Sequence, residues 1–248
     1  MPNIVAILPA AGFGTRMGSE SPKQFRLLDG LPVIVFTLRR LALCPAIGRF
    51  LVATRADEVE ALSARLAEER LDRPVEVVRG GDTRQQSVEN ALAEVPADAN
   101  LVLIHDGVRP LVTREQVERV IAEASVCRAA ILGIPALDTV KEVKRASLPD
   151  DAALILTTIP RERIVLAQTP QVFDAALLRT AFERAAADGI TASDEAGLVE
   201  RLGHDVHVVM GSERNLKITR PGDLELAEFY LAQERAQQKD TKPGRSGK

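Results

Sequence analysis

The chain has 248 residues, of which 46% are hydrophobic and 27% charged, and a formal net charge of −3. That balance belongs to a folded globular protein and excludes a disordered or fibrous chain. The mild acidity, with no Lys/Arg-rich stripe among aromatics, excludes a general nucleic-acid binder.

Cys44 and Cys127 are too few for a disulfide framework or a zinc cluster, and their apolar neighbours predict buried, reduced thiols. No apolar run approaches membrane-spanning length, and the N-terminal segment lacks the basic region and cleavage site of a signal peptide. The expected location is the cytoplasm, with no membrane partner.

In chain order, residues 3–8 (NIVAIL) form an almost unbroken apolar run, read as a strand buried on both faces of a parallel sheet. Further short β-rich runs fall at Phe50–Ala53, Val75–Val78, Leu101–Ile104 and Ala129–Ile134. Helical patterns separate them at Val33–Leu43, Asp57–Arg70, Arg84–Val95 and Arg114–Ser125. Such alternation predicts an α/β fold with a doubly wound, mostly parallel sheet.

Ala136–Ser147 then alternates apolar and polar residues, and Ala153–Ile159 is a second β-rich run. An antiparallel excursion fits these better than another crossover, so a protruding β-arm is expected at about 136–162. Helices follow at Ala175–Asp188 and Asp194–Leu202, a strand at Val206–Met210 and a closing helix at Pro221–Gln237, all within one domain spanning 1–237. Residues 238–248 read as a disordered tail.

The chemistry concentrates in Pro9-Ala10-Ala11-Gly12-Phe13-Gly14-Thr15-Arg16-Met17-Gly18, followed by Ser21-Pro22-Lys23-Gln24-Phe25. This loop leaves the carboxyl end of a buried strand, where α/β sheets bind ligands. Its glycines let backbone N–H groups approach phosphate oxygens, and Arg16 and Lys23 add positive charge. Neither the P-loop nor the dinucleotide fingerprint is met, because no Gly-Lys-Ser/Thr follows and Met17 stands at the third glycine position.

Asp106, in His105-Asp106-Gly107-Val108-Arg109-Pro110, stands at the tip of another buried strand and is a candidate Mg²⁺ ligand, with an N-cap or an Arg109 salt bridge as the alternative. His105 reads as a structural hydrogen-bonding histidine, and His204 and His207 lie in an ordinary turn and strand. The Gly80-to-Ser87 segment (GGDTRQQS) is either a base-reading loop or a turn with a helix cap.

AAGFGTRMG with PKQF, then GGDTRQQSV, HDGVRP, DTVK, AQTPQVF, SDEAGLVE and NLKITRPGDLELAE, resembles the 2-C-methyl-D-erythritol 4-phosphate cytidylyltransferase family along nearly the whole chain. The resemblance implies a nucleotide-diphospho-sugar transferase fold whose β-arm clasps a second subunit, with CTP and a polyol phosphate as substrates and Mg²⁺ as cofactor. It implies that Pro9 through Arg16, with Gly12 and Gly14, wrap the triphosphate while Arg16 and Lys23 stabilise charge at the α-phosphate. Ala10, Ala11, Gly81, Asp82 and Ser87 would surround the cytosine, with Arg84 in support, and Asp106 would hold Mg²⁺. Thr139 and Arg161 would reach the acceptor phosphate of the neighbouring subunit, which Lys217 contacts from its own.

Gly107-Val108 stands where Ala-Ala is usual, and Ser193 where Thr is more frequent. The rival readings are a ribitol 5-phosphate cytidylyltransferase, a non-catalytic nucleotide-binding protein and an NAD-dependent oxidoreductase, the last disfavoured by the broken third glycine.

Overall fold

The computed structural model describes residues 3–12, 23–144 and 153–240, with backbone alone for 23 and 238–240. Strand β1 (Ile4–Pro9) lies between β4 (Ile47–Thr54) and β6 (Leu101–Ile104), pairing in parallel with both. Its side chains alternate between two cores. Ile4, Ala6 and Leu8 join one with Ile34, Val35, Leu38 and Leu41 of α1 (Val33–Ala42), Leu62 and Leu66 of α2 (Val59–Ala67), and Val117 and Val120 of α4 (Arg114–Cys127). Val5 and Ile7 join the other with Val88 of α3 (Arg84–Ala93), Leu178 and Phe182 of α5 (Ala175–Asp188), and Leu198 of α6 (Glu195–Arg201). Period-two alternation on a sheet covered by helices on both faces is what the continuous apolar run demands.

The seven-stranded sheet is completed by β5 (Val75–Arg79), β7 (Ala129–Pro135), β10 (Val165–Asp174) and β11 (His207–Met210), in the order β11-β7-β10-β6-β1-β4-β5. Its pairs are parallel except at β10, which runs antiparallel to both neighbours. Sequence pattern does not predict β10, because Pro170 interrupts it and proline cannot donate to a ladder. The structure accommodates Pro170 at a slip in the β7 register between Gln168 and Gln171. That irregularity frees the side chains of Gln168 and Thr169 for work described below.

Leu27–Leu28 (β2) and Leu31–Pro32 (β3) form a short hairpin, also absent from the expectations, whose Asp29-Gly30 turn has φ of 54° and 77°. Positive φ at both positions is the mark of a type I′ hairpin turn, which Asp-Gly favours. The predicted helix over 57–70 is shorter, opening with a 3₁₀ turn (Ala56–Glu58) and ending at Ala67. Helices α3 and α4 each begin with a capping box, Thr83 with Gln86 and Thr113 with Gln116. Loss of either cap threonine typically costs about 1 kcal/mol.

Strands β8 (Val140–Val143) and β9 (Ile155–Ile159) pair only with each other, apart from the main sheet. This is the expected antiparallel excursion; residues 145–152 of the predicted arm lie outside the described residues. Helix α7 (Pro221–Asp240) runs three residues past the predicted end, so the tail expected from Gln238 is helical through Asp240, and 241–248 are outside the described residues. Ala227 and Leu231 of α7 pack on Leu28, Val33, Val108 and Ile218. No helix of the described residues is long and apolar enough to cross a membrane.

Candidate active site

The carboxyl ends of β1, β4, β5 and β6 meet at one edge of the sheet, and the chain leaving them continues the ladder for one more step. Ala10 N–H donates to Ala53 O at 2.7 Å, Gly80 N–H to Thr54 O at 2.6 Å and His105 N–H to Ile7 O at 2.9 Å. These bonds hold the loops in fixed register around a cavity lined by Pro9 to Gly12, Gly81 to Arg84, Ser87, Asp106 and Lys217.

A Cβ on Gly81 would lie 2.3 Å from Cβ of Gln86, so glycine is required for the approach of loop to helix. Thr83 caps α3, while Ser87 Oγ accepts from Gly81 N–H at 3.1 Å and donates to Thr83 O at 2.8 Å. The turn-plus-cap reading of this segment is realised. Thr83 and Gln86 cap the helix, and the segment still walls the cavity.

Asp106 is buried at the cavity floor. Its Oδ1 accepts from Arg84 Nε at 3.0 Å, and its Oδ2 faces Lys217 Nζ at 2.9 Å and Arg109 Nε at 3.4 Å. Burial alone would raise the carboxyl pKa, but Arg84, Lys217 and Arg109 overcome it and hold the group far below the ordinary carboxylate range. Asp106 is therefore ionised throughout the neutral range.

Arg84 is fixed from its far side by Glu195, with Nη1 to Oε1 at 2.7 Å and Nη2 to Oε2 at 3.0 Å. Such a two-pronged pair sets the guanidinium plane as well as its position. Burial pushes the Glu195 carboxyl up, against the charge of Arg84.

Beneath Asp106 runs a hydrogen-bond chain whose directions are determined by its ends. Asp106 N–H donates to Thr169 Oγ at 3.0 Å, and Thr169 Oγ is 3.0 Å from His105 Nδ1. His105 Nε2 lies 3.0 Å from Arg109 O, a carbonyl that can only accept. The imidazole therefore carries its proton on Nε2 and accepts the Thr169 hydroxyl proton at Nδ1. Burial pushes the His105 pKa down to about 4, in keeping with a neutral ring.

Asn215 is buried and ties the last loop to the same floor. Its Nδ2 donates to Thr169 O at 2.8 Å, and its own carbonyl accepts Arg109 Nη1 at 2.7 Å. With Ile218 N–H bonded to Val108 O at 2.9 Å, Lys217 is held between two anchors. A second cleft, lined in part by Gln168, Thr169, Gln171, Ser193 and Asp194, lies on the other side of Asp106 and shares Arg84, Asp106 and Lys217 with the first.

Residues 4–233 match the family model for 2-C-methyl-D-erythritol 4-phosphate cytidylyltransferase. The chain belongs to that family. A relative of that name from Acidobacterium capsulatum is 52% identical over 236 residues, covering 93% of this chain and 98% of its own. The 2-C-methyl-D-erythritol 4-phosphate cytidylyltransferase structure from Thermus thermophilus is 36% identical with a TM-score of 0.74, over 94% of this chain and 100% of its own. The 4-diphosphocytidyl-2C-methyl-D-erythritol synthase from Anaerococcus prevotii is 30% identical with a TM-score of 0.79, over 93% and 99%.

Within this cytidylyltransferase fold, Pro9, Ala10, Ala11, Gly12, Gly81, Asp82, Arg84, Ser87, Asp106 and Lys217 line one cavity. Gly14 and Arg16 lie outside the described residues, and of Lys23 only the backbone is described, opening a short 3₁₀ turn (Lys23–Phe25). Thr139 and Arg161 line neither cleft of their own chain. Both are exposed at the base of the β8–β9 arm, where Arg161 Nη1 donates to Leu137 O.

Glu195, Thr169 and Gln24 were missed as site residues. Gln24 donates to Ala10 O at 2.7 Å from a buried position, and its place in the PKQF motif was the available signal. At the Gly107-Val108 pair a larger residue would displace only the tip of one side chain. A Cβ at 107 would lie 2.5 Å from Ile34 Cδ1, while Val108 packs with the α7 cluster.

The donor set suits a hard divalent cation. Asp106 is an ionised oxygen donor at the cavity, Asp82 is a second carboxylate on its wall, and no His or Cys is among the lining residues. Mg²⁺ commonly takes one or two carboxylates and completes its shell with phosphate oxygens and water.

Proposed function

We propose that this protein transfers the cytidylyl group of CTP to 2-C-methyl-D-erythritol 4-phosphate, giving 4-diphosphocytidyl-2-C-methyl-D-erythritol and pyrophosphate in non-mevalonate isoprenoid biosynthesis. The single observation that carries the mechanism is the Asp106 carboxylate ringed by Arg84, Arg109 and Lys217 between two clefts. The nucleotide takes the first cleft, its base against the Gly81–Ser87 wall and its phosphates toward Pro9 to Gly12. The acceptor phosphate approaches from the second, toward Lys217.

An acceptor phosphate oxygen attacks the α-phosphorus, the new P–O bond forms as the bond to the β-phosphate bridging oxygen breaks, and pyrophosphate leaves in line. A phosphate monoester is largely ionised near neutral pH, its second pKa being about 6, so no general base is needed. The neutral His105, with both ring nitrogens engaged, is accordingly not a base. Positioning and electrostatic stabilisation carry the reaction, and Lys217, together with the Arg16 and Lys23 that the family resemblance implies, would offset developing negative charge. Asp106 would hold Mg²⁺, which would supply charge neutralisation at the phosphates.

The working form is a cytoplasmic homodimer. The β8–β9 ribbon exposes Leu154, Ile155 and Leu156, and a two-stranded ribbon is marginal without a surface to cover it. A partner's arm would bring Thr139 and Arg161 to the acceptor phosphate.

Acceptor identity is the point to test. With CTP and Mg²⁺, kcat/KM for 2-C-methyl-D-erythritol 4-phosphate should exceed that for ribitol 5-phosphate by at least about a hundredfold, the discrimination a pocket reaches between substrates of similar size. Equal or reversed preference would transfer the assignment to the ribitol enzyme.

A further inference from the structure

At the opposite edge of the sheet, where β7 and β11 begin, three donors of different chemistry converge. Glu123 and Cys127 occupy one face of the last turn of α4, and His207 opens the edge strand β11. One ligand atom from each lies within 4.8 Å of the others. His207 Nδ1 is 2.6 Å from Glu123 Oε1, and Cys127 Sγ donates to Glu123 O at 3.1 Å and Ala129 O at 3.2 Å. None of the three lines either cleft around Asp106.

We propose that Glu123, Cys127 and His207 form a binding site for a divalent transition metal of the Zn²⁺ class, pinning the edge strand β11 to the end of α4. Thiolate, imidazole and carboxylate together are a borderline-soft donor set that favours such ions over Mg²⁺. Around a tetrahedral Zn²⁺ the donors stand roughly 3.3–3.6 Å apart given the usual bond lengths. With every separation at most 4.8 Å and the His–Glu pair at 2.6 Å, adjustments of only about 1 Å reach that geometry.

The carbonyl end of α4 adds a negative dipole end that favours a cation. Cys127 is half-buried, not fully buried as its apolar neighbours predict, so its sulfur is within reach. Both donor elements are anchored independently, α4 by Val120 and Ala124 in the core and β11 by its ladder to β7. Binding releases the thiol proton, the imidazole binds as its Nε2–H tautomer through Nδ1, and water completes the fourth position.

The test titrates the reduced, metal-stripped full chain with Co²⁺ and follows the thiolate-to-cobalt charge-transfer band in the near ultraviolet. The wild type should develop this band to saturation at one ion per chain. Cys127→Ser should lack it, and His207→Asn should weaken binding at least roughly tenfold, the loss expected when a ligand is removed. Cys44 is fully buried and does not confound the assignment. In parallel, excess Zn²⁺ should raise Tm of the wild type by roughly 5 °C but not that of Cys127→Ser, and Mg²⁺-dependent turnover should be the same in both. Absence of the thiolate band in folded wild type, or its persistence in Cys127→Ser, would overturn the site.

Discussion

Lys217 Nζ lies 2.9 Å from Oδ2 of Asp106, bridging the last loop of the chain and the tip of β6 across the cavity floor. The two charges make each other usable. Asp106 stays ionised in a buried place, and Lys217 is held where both clefts meet.

Asp106→Asn keeps the shape but removes the charge that balances Arg84, Arg109 and Lys217. Turnover should fall by roughly a hundredfold or more, the scale of losing one electrostatic contact in the transition state. Tm should fall as well, since removing one member of a buried charge cluster leaves the others uncompensated. Turnover measured against Mg²⁺ concentration checks the role. An unaltered Mg²⁺ response would make Asp106 structural only.

Glu195→Gln attacks the same cluster from behind. It weakens the two-pronged hold on Arg84, whose Nε contacts Asp106, so the guanidinium is free to tilt. KM for CTP should rise at least about tenfold, the factor that corresponds to 1.4 kcal/mol of binding. Steady-state kinetics alongside thermal unfolding decides it: a lower Tm with unchanged KM would leave Glu195 a purely structural partner.

Acidification should act on the fold through His105. Its pKa is about 4 in the folded chain against an ordinary 6.5, so the unfolded state binds more protons between those values. Stability is therefore full above pH 6.5 and is lost as pH falls toward 4, by on the order of 3 kcal/mol in total. Unfolding of the metal-free protein, measured from pH 7 to 4, should show this slope, and His105→Gln should flatten it. Identical slopes in the two proteins would exclude His105 as the source.

Much of the site was legible because its residues sit in loops that directly follow buried strands, and an apolar run ending in Gly, Asp or Arg announces such a loop. Asp106 was found that way, whereas Arg84 and Lys217 entered only through the family resemblance, and nothing local revealed that the three meet. Glu195 was invisible as a partner because it lies 111 residues from Arg84, in a helix start whose Asp194 looks like an ordinary cap. Strand β10 was hidden by Pro170. Only the tertiary ladder shows that the register slip around that proline aims Thr169 at Asp106.

Arg161 provides the test of assembly. Exposed on the arm and lining neither cleft of its own chain, it is expected to serve the partner's acceptor site. Arg161→Ala and Lys23→Ala homodimers should each be nearly inactive, while their heterodimer regains one intact site, about half the wild-type activity, as expected of a reciprocal two-fold exchange. Verified heterodimers without recovery, or a fully active monomer, would remove Arg161 from the partner's site.

These charges are expected to join a phosphate monoester to the α-phosphorus of CTP without hydrolysis. Phosphorus NMR of the purified protein with CTP, Mg²⁺ and 2-C-methyl-D-erythritol 4-phosphate reads each species directly. A new diphosphate diester and pyrophosphate should rise in equal amounts, both dependent on the acceptor and both suppressed in Lys217→Ala. Unchanged CTP, or CMP and pyrophosphate formed without acceptor, would contradict it.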